Sequence, residues 1–304
     1  MTALARESER GPADKPEAVS GPTAPDGRRL NAMSVDVEDY FQVQAFADTI
    51  DRASWDTLPC RVERNVDRLL RIFDDAGIKA TFFTLGWVAE RYPALIRRIV
   101  AAGHELASHG WNHTRADSQD EAQFRTDIRK TKSLLEDLSG LPILGYRAAT
   151  FSIGPKNMWA FDVLQDEGYR YSSSLYPIRH DLYGDTAAPR TPFHPHSLPL
   201  IEVPMTTVRW FGRNFPCAGG GYFRLLPYAV SRLNMRRVNR DDGQACVFYF
   251  HPWEIDPDQP RQESVGAKTR FRHYTNLGRM EGRLKQLLKD FAWDRMDRVF
   301  LGSA

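Results

Sequence analysis

One arrangement recurs along this chain and limits the folds open to it: an amphipathic segment, a glycine, then a short apolar run. It stands at Asp75-Ala76-Gly77-Ile78-Lys79-Ala80 and Ala101-Ala102-Gly103-His104-Glu105-Leu106, and again at Ser139-Gly140-Leu141 and Glu167-Gly168-Tyr169. A glycine just past a helix end supplies the left-handed backbone that other residues adopt only at a cost, so each point reads as a helix-to-strand junction. Between the junctions, Val62, Val66, Leu69, Leu70 and Phe73 share one helical face, and Ser118 with Glu121 reads as a capping box opening a helix lined by Phe124, Ile128, Leu135 and Leu138. Leu277, Met280, Leu284, Leu287, Leu288 and Phe291 form a third stripe. Alternating strands and helices imply a parallel sheet with helices outside, either open and doubly wound or closed into a barrel.

The placement of reactive residues chooses between these. Asp36 and Glu38, His109, Arg147, Ser172 and His251 each stand where a predicted strand ends. Many strand ends converging on one site is a barrel's habit, whereas an open sheet concentrates its site at one switch point. The expected fold class is therefore α/β, a distorted (β/α) barrel. From about Ile178 to Phe223 the alternation breaks, with many prolines and a Gly219-Gly220-Gly221 run that lacks the Lys-Ser/Thr of a phosphate loop. This stretch reads as an irregular loop or small hairpin inserted at the barrel mouth, where ligand contacts are usually carried. Residues 1–29, polar and without apolar periodicity, read as a disordered tail, leaving 30–304 as one domain.

Composition excludes some functions. The 41 basic and 39 acidic residues, a net charge of +2, read as well mixed with no basic stripe, which argues against nucleic acid as a partner. Cys60, Cys217 and Cys246 lie far apart with no CxxC pair, so neither a disulfide framework nor a thiolate zinc site is expected, and a reducing compartment fits. No apolar run approaches the roughly 18 residues of a spanning helix and no signal-peptide core precedes the fold, so the expected location is cytoplasmic.

Four segments carry chemistry. Ser34-Val35-Asp36-Val37-Glu38-Asp39-Tyr40 clusters three carboxylates at a strand end, and such a cluster needs a cation or a raised pKa unless it is a solvated turn. In an extended strand Asp36 and Glu38 point to one face, which suits a metal ligand beside a general base. In Ser108-His109-Gly110-Trp111-Asn112-His113 the two histidines meet if the segment makes one helical turn. Two neutral imidazoles and a carboxylate leave open positions on a zinc-like cation for water and substrate. Arg147, in Gly145-Tyr146-Arg147-Ala148-Ala149-Thr150-Phe151, can hold a carboxylate through paired hydrogen bonds or be a rim salt bridge. His251, ending the apolar run before Pro252-Trp253-Glu254, can protonate a leaving amine or be a satisfied core histidine.

Taken together, in this order and spacing, the four segments resemble the polysaccharide deacetylases of carbohydrate esterase family four, the NodB homology group. The similarity runs from Leu30 to the C-terminus and is greatest to the branch beside exosortase-linked exopolysaccharide genes. Its most telling stretches are Asp36 to Phe41, Ser108 to His113, Phe250 to Pro257 and the basic-aromatic Phe271-Arg272-His273-Tyr274. The resemblance implies hydrolysis of N-acetyl groups from a sugar polymer or its lipid-linked precursor, with a divalent cation, zinc for preference. It implies Asp36 as base, His109 and His113 as metal ligands with Glu38 or Asp39, Arg147 as the residue that orients the base, and His251 as acid. Glu38 is preferred because it shares the Asp36 face. Two positions depart from the family pattern: Ala149 stands where a proline is usual, and Ser172 to Ser174 where an aspartate is usual, so support for the acid histidine is in question. Trp210, Phe211, Phe215, Tyr222 and Phe223 are expected either to stack on sugar rings or to pack the core. Hydrolysis of a small cyclic or linear amide by the same machinery, and polysaccharide binding without turnover, are the competing readings.

Overall fold

Leu30–Val37 forms strand β1, whose buried positions are almost continuous because both of its faces are covered. Met33, Val35 and Val37 point outward beneath the helices with Val66, Leu69 and Phe82, whereas Ala32 points inward with Phe83, Ala107, Tyr171 and Tyr249. Ser34 and Asp36 share the inward face with Ala32, since side chains alternate along a strand. The structure, a computed structural model, describes residues 22–302. The expected tail therefore falls largely outside the described residues. Its last part is not structureless, for Thr23 and Arg29 form an antiparallel bridge.

Helix α1 (Val62–Asp75) leads to β2 (Thr81–Thr84), and α2 (Gly86–Arg91) with α3 (Pro93–Ala101) leads to β3 (Glu105–Ser108). There follow α4 (Glu121–Ser139), β4 (Gly145–Tyr146), α5 (Ala160–Asp166), β5 (Tyr171–Ser172) and β6 (Ile201–Glu202). The four glycine junctions all adopt positive φ, 65° at Gly77, 81° at Gly103, 68° at Gly140 and 78° at Gly168. The capping box lies two residues later than expected: Asp120 accepts the Gln123 N–H at 2.8 Å and the Gln123 side chain accepts the Asp120 N–H at 3.0 Å. Ser118 instead closes a short turn, its hydroxyl donating to Arg115 O.

The insertion contains an antiparallel hairpin of β7 (Thr207–Trp210) and β8 (Arg213–Pro216), followed by α6 (Gly220–Leu225) and α7 (Tyr228–Arg240). Then come β9 (Val247–Phe250), α8 (Ala267–Tyr274), α9 (Leu277–Asp290), β10 (Ala292–Asp294) and α10 (Met296–Phe300). The eight barrel strands are parallel, running from β1 through β2, β3, β4 and β5 to β6. The other edge of β1 is shared, with Leu30 paired to Ala292 of β10 and Ala32 to Val247 of β9. Between β6 and β9 the barrel stays open, and a single bridge from Gly219 to Tyr249 stands beside the gap. Among the described residues no helix is long and apolar enough to cross a membrane.

One buried histidine outside the site makes the fold sensitive to acid. His104 is 3% exposed, packs on Phe73 and Phe82, and accepts the Ala80 N–H at Nδ1, so burial pushes its pKa from 6.5 to about 4. A depressed histidine contributes its stability fully above the unfolded pKa and loses it as pH falls through the folded one. The loss here is about 3 kcal/mol, and urea unfolding at about pH 7 and about pH 4.5 should show it in the native chain but not in His104→Asn. Equal losses in both would refute the assignment.

Candidate active site

The inward face of β1 sets the first functional group. Arg147, at the end of β4 and fully buried, donates Nη1 to Asp36 Oδ1 at 2.5 Å and to Ser34 Oγ at 3.0 Å. Its remaining N–H groups reach Ser173 O and Ser173 Oγ, both at 3.2 Å, so the guanidinium is fixed from two strands. The serine run that replaces the expected aspartate thus orients the arginine. Ala149 stands buried in the turn after it.

Beyond Val37 the strand ends. The Glu38 N–H bonds Asp36 O at 3.0 Å, a tight turn, so Glu38 enters the cleft by turning off the strand and not by strand alternation. Glu38, His109 and His113 are buried, and a ligand atom from each lies within 4.8 Å of the others. The two histidines do not meet through a helical turn. Gly110 (φ 73°) and His113 (φ 53°) bend the loop, the Trp111 N–H is held by Asp127 at 3.0 Å, and the rings come to 5.3 Å.

These three residues fit a divalent cation. His109 Nδ1 faces Arg147 O at 2.8 Å, which leaves Nε2 as the free lone pair, and burial lowers its pKa to about 4 so that it stays neutral. Glu38 Oε2 lies 3.0 Å from His113 Nε2 without making a hydrogen bond. Burial opposes ionisation of Glu38, yet the surrounding His113, His251 and His109 bring its pKa down to about 2. Two nitrogens and one carboxylate oxygen are a catalytic zinc-type donor set with room for further ligands.

Asp39 is elsewhere. Its Oδ1 accepts the Tyr40 N–H at 2.7 Å, and its Oδ2 accepts the N–H groups of Arg61 and Val62 at the start of α1. It caps a helix, which corrects its candidacy as a ligand. Glu38→Gln should therefore release metal, while Asp39→Asn should keep it and lose about 1 to 2 kcal/mol of stability as one capping oxygen goes. Metal analysis beside urea unfolding checks both, and metal loss in Asp39→Asn alone would reverse the assignment.

His251 closes the site from the end of β9, with Nε2 3.4 Å from Glu38 Oε1. Its Nδ1 is 2.8 Å from Glu254 Oε1, and Glu254 Oε2 accepts Arg224 Nε at 2.6 Å. Although burial disfavours the charged ring, Glu38 and Glu254 raise its pKa to about 9. Sequence reasoning had passed over Glu254 and Arg224, and the only signal was a carboxylate three residues after the histidine. The glycine run now has a reason: a Cβ on Gly220 would lie 2.2 Å from Glu254 Oε1, and one on Gly219 2.5 Å from the Tyr249 ring. Trp253 stacks between His251 and His273, with centroids at 5.2 and 4.1 Å, and turns its Nε1 toward Glu38 Oε1 at 3.5 Å.

Asp36, Glu38, His109, His113 and His251 line one cleft of about 480 Å³, with Phe151, Tyr183, Tyr249 and Trp253 as its aromatic walls. Of the aromatic residues expected at the mouth, only Tyr222 comes near, lining an adjoining hollow, whereas Phe223 is in the core and Phe211 projects into solvent.

Comparison with known proteins divides the chain. The polysaccharide deacetylase family matches residues 49–172, and a domain of unknown function (DUF3473) matches 173–301. The peptidoglycan deacetylase-like protein FGM2 of Gibberella zeae is 34% identical over 120 residues, which is 39% of this chain and 35% of that protein. The peptidoglycan deacetylase of Helicobacter pylori is 30% identical over 118 residues, 37% of this chain and 38% of that one. The match thus spans little more than a third of these relatives. A solved Mycobacterium smegmatis structure assigned to the polysaccharide deacetylases superimposes with a TM-score of 0.58 at 21% identity over 92% of both chains. Puue allantoinase does so with a TM-score of 0.60 at 17% identity over 98% of this chain and all of that one. At these identities the likeness is one of fold, a (β/α) barrel.

Proposed function

We propose that this chain, whose residues 49–172 match the polysaccharide deacetylase family, hydrolyses N-acetyl groups of an N-acetylated polysaccharide, an exopolysaccharide or its lipid-linked precursor, and releases acetate. The observation that carries the reading is the meeting, in one cleft, of an arginine-held carboxylate, a His-His-Glu donor set and a histidine held by a second carboxylate. Glu38, His109 and His113 would hold a divalent cation, zinc by donor type. When bound, such a cation supplies Lewis acidity, drawing electron density from the acetamide carbonyl and making water easier to deprotonate.

The chain's own groups do the rest. Arg147 occupies Asp36 Oδ1, so the other oxygen is the one that accepts the proton of the attacking water. Glu254 accepts a hydrogen bond from the Nδ1–H of His251, which aims Nε2 into the cleft to protonate the departing sugar nitrogen. Glu254→Gln is expected to slow acetate release about ten- to a hundredfold, and more for poor leaving groups than for good ones, because a misoriented acid matters least when departure is easy. A loss independent of leaving group would show that Glu254 only supports the fold.

The deciding experiment is acetate release from N-acetylglucosamine oligomers by the purified chain, with and without a chelator, beside small cyclic amides. Chelator-sensitive release from the oligomers is expected. Turnover of the cyclic amides alone would overturn the reading.

A further inference from the structure

The net charge of +2 hides an uneven distribution. Residues 203–240 contain seven arginines and no lysine, aspartate or glutamate, so that segment carries +7 and the rest of the chain 2 − 7 = −5. The expectation of well-mixed charge fails here. Arg224 is spent inside the protein on Glu254, and Arg232, Arg237 and Arg240 pair with Asp290 and Asp241. Arg209, Arg213 and Arg236 are exposed and form no salt bridge among the described residues.

Two of these three flank the tip of the β7–β8 hairpin. Trp210 pairs with Arg213 across the hairpin, and Arg209 with Asn214, so Arg209 and Arg213 stand on opposite faces. The tip is the two-residue turn Phe211-Gly212, with φ of 49° and 74°. Positive φ at both positions is the geometry that favours Asn-Gly, and a bulky aromatic side chain there is held at a cost. Phe211 is also 97% exposed, the most exposed of the large apolar residues among those described. Two penalties, backbone and hydration, thus fall on one residue whose ring contact among the described residues is a tilted one with Trp210, 6.3 Å away.

The base beneath the tip is rigid. Trp210 donates its indole N–H to Asn234 of α7 at 3.2 Å, and Arg237 lies over its ring at 3.9 Å. The next residues on the exposed side of α7 are Leu233, 60% exposed, and Arg236. At the other strand Asn214 Nδ2 donates to Pro177 O, at the root of the segment that brings His180 to Tyr183 to the cleft wall.

From this juxtaposition we infer that the hairpin tip docks the protein on an anionic lipid bilayer, with Phe211 inserted among the headgroups and Arg209 and Arg213 against their phosphates. An aromatic side chain on a protrusion, flanked by two guanidiniums, matches the apolar-below, anionic-above layering of such a surface. A protein partner would need on the order of 800 Å² on this side, which a two-residue tip cannot offer. Docking there would hold the cleft wall close to lipid-linked material.

The test is co-sedimentation of the whole chain with phosphatidylcholine vesicles, with and without phosphatidylglycerol, and with heparin as a soluble polyanion in competition. Binding to the anionic vesicles only, weakening as salt is raised, is expected. Phe211→Asn should reduce it about tenfold or more, and each of Arg209→Gln and Arg213→Gln about fivefold. Phe211→Asn gives the turn its favoured residue, so an unchanged or raised Tm shows that any lost binding is not lost folding. Absence of binding to anionic vesicles, equal binding to neutral ones, or binding that heparin abolishes and Phe211→Asn leaves intact would overturn the inference.

Discussion

Asp36→Asn is expected to lower acetate release by about 10²- to 10⁴-fold while bound metal stays near the native level. An amide cannot accept the water's proton, yet it is nearly the same size and still offers Arg147 an oxygen, and Glu38, His109 and His113 are untouched. His251→Ala should also keep metal and lose turnover, but substrates with easily expelled leaving groups should recover more activity in it than in Asp36→Asn. Good leaving groups reduce the need for an acid without removing the need for a base. Equal rescue of both variants, or an emptied metal site in Asp36→Asn, would exchange or void these roles.

The second large effect concerns the cation. His109→Ala would remove a proposed ligand whose far nitrogen is held by Arg147 O. Metal affinity should fall by at least about a hundredfold, and acetate release to background. His194→Ala, whose ring faces only the Leu198 and Leu200 carbonyls, should alter neither. Full metal content in His109→Ala would show that His109 is not a ligand.

The frame was legible because its signals are local. A left-handed glycine after a helix is a property of a few neighbouring residues, and Gly77, Gly103, Gly140 and Gly168 all take that conformation. Likewise Asp36, His109, Arg147 and His251 stand at or just beyond strand ends, which apolar runs reveal. What was misread depended on competition or on distance. Ser118-x-x-Glu121 and Asp120-x-x-Gln123 are overlapping capping patterns, and the choice between them is made where α4 meets the core, not by either tetrad. The HxxxH spacing suggests a helical turn, but Asp127 draws the Trp111 N–H and the loop bends through Gly110 and His113. Glu254 was the hardest to see, since its role needs Arg224, thirty residues earlier, and the space left by Gly220.

The shared edge of β1 governs the order in which this protein can be completed as it leaves the ribosome. The strands that cover that edge of β1, beginning at Val247 and Ala292, are synthesised more than 200 residues after it. Until then the strand carrying Asp36 has β2 on one side and unpaired amides on the other, an opening through which two nascent chains could join. His251 arrives on the strand that seals it. Covering the free edge of β1 and bringing His251 to Asp36 are therefore the same event, and a chain released before it has neither a covered edge nor a complete site. The boundary between the two matched families, at 172/173, does not divide this unit, because β1 to β6 and their late partners form one sheet across it.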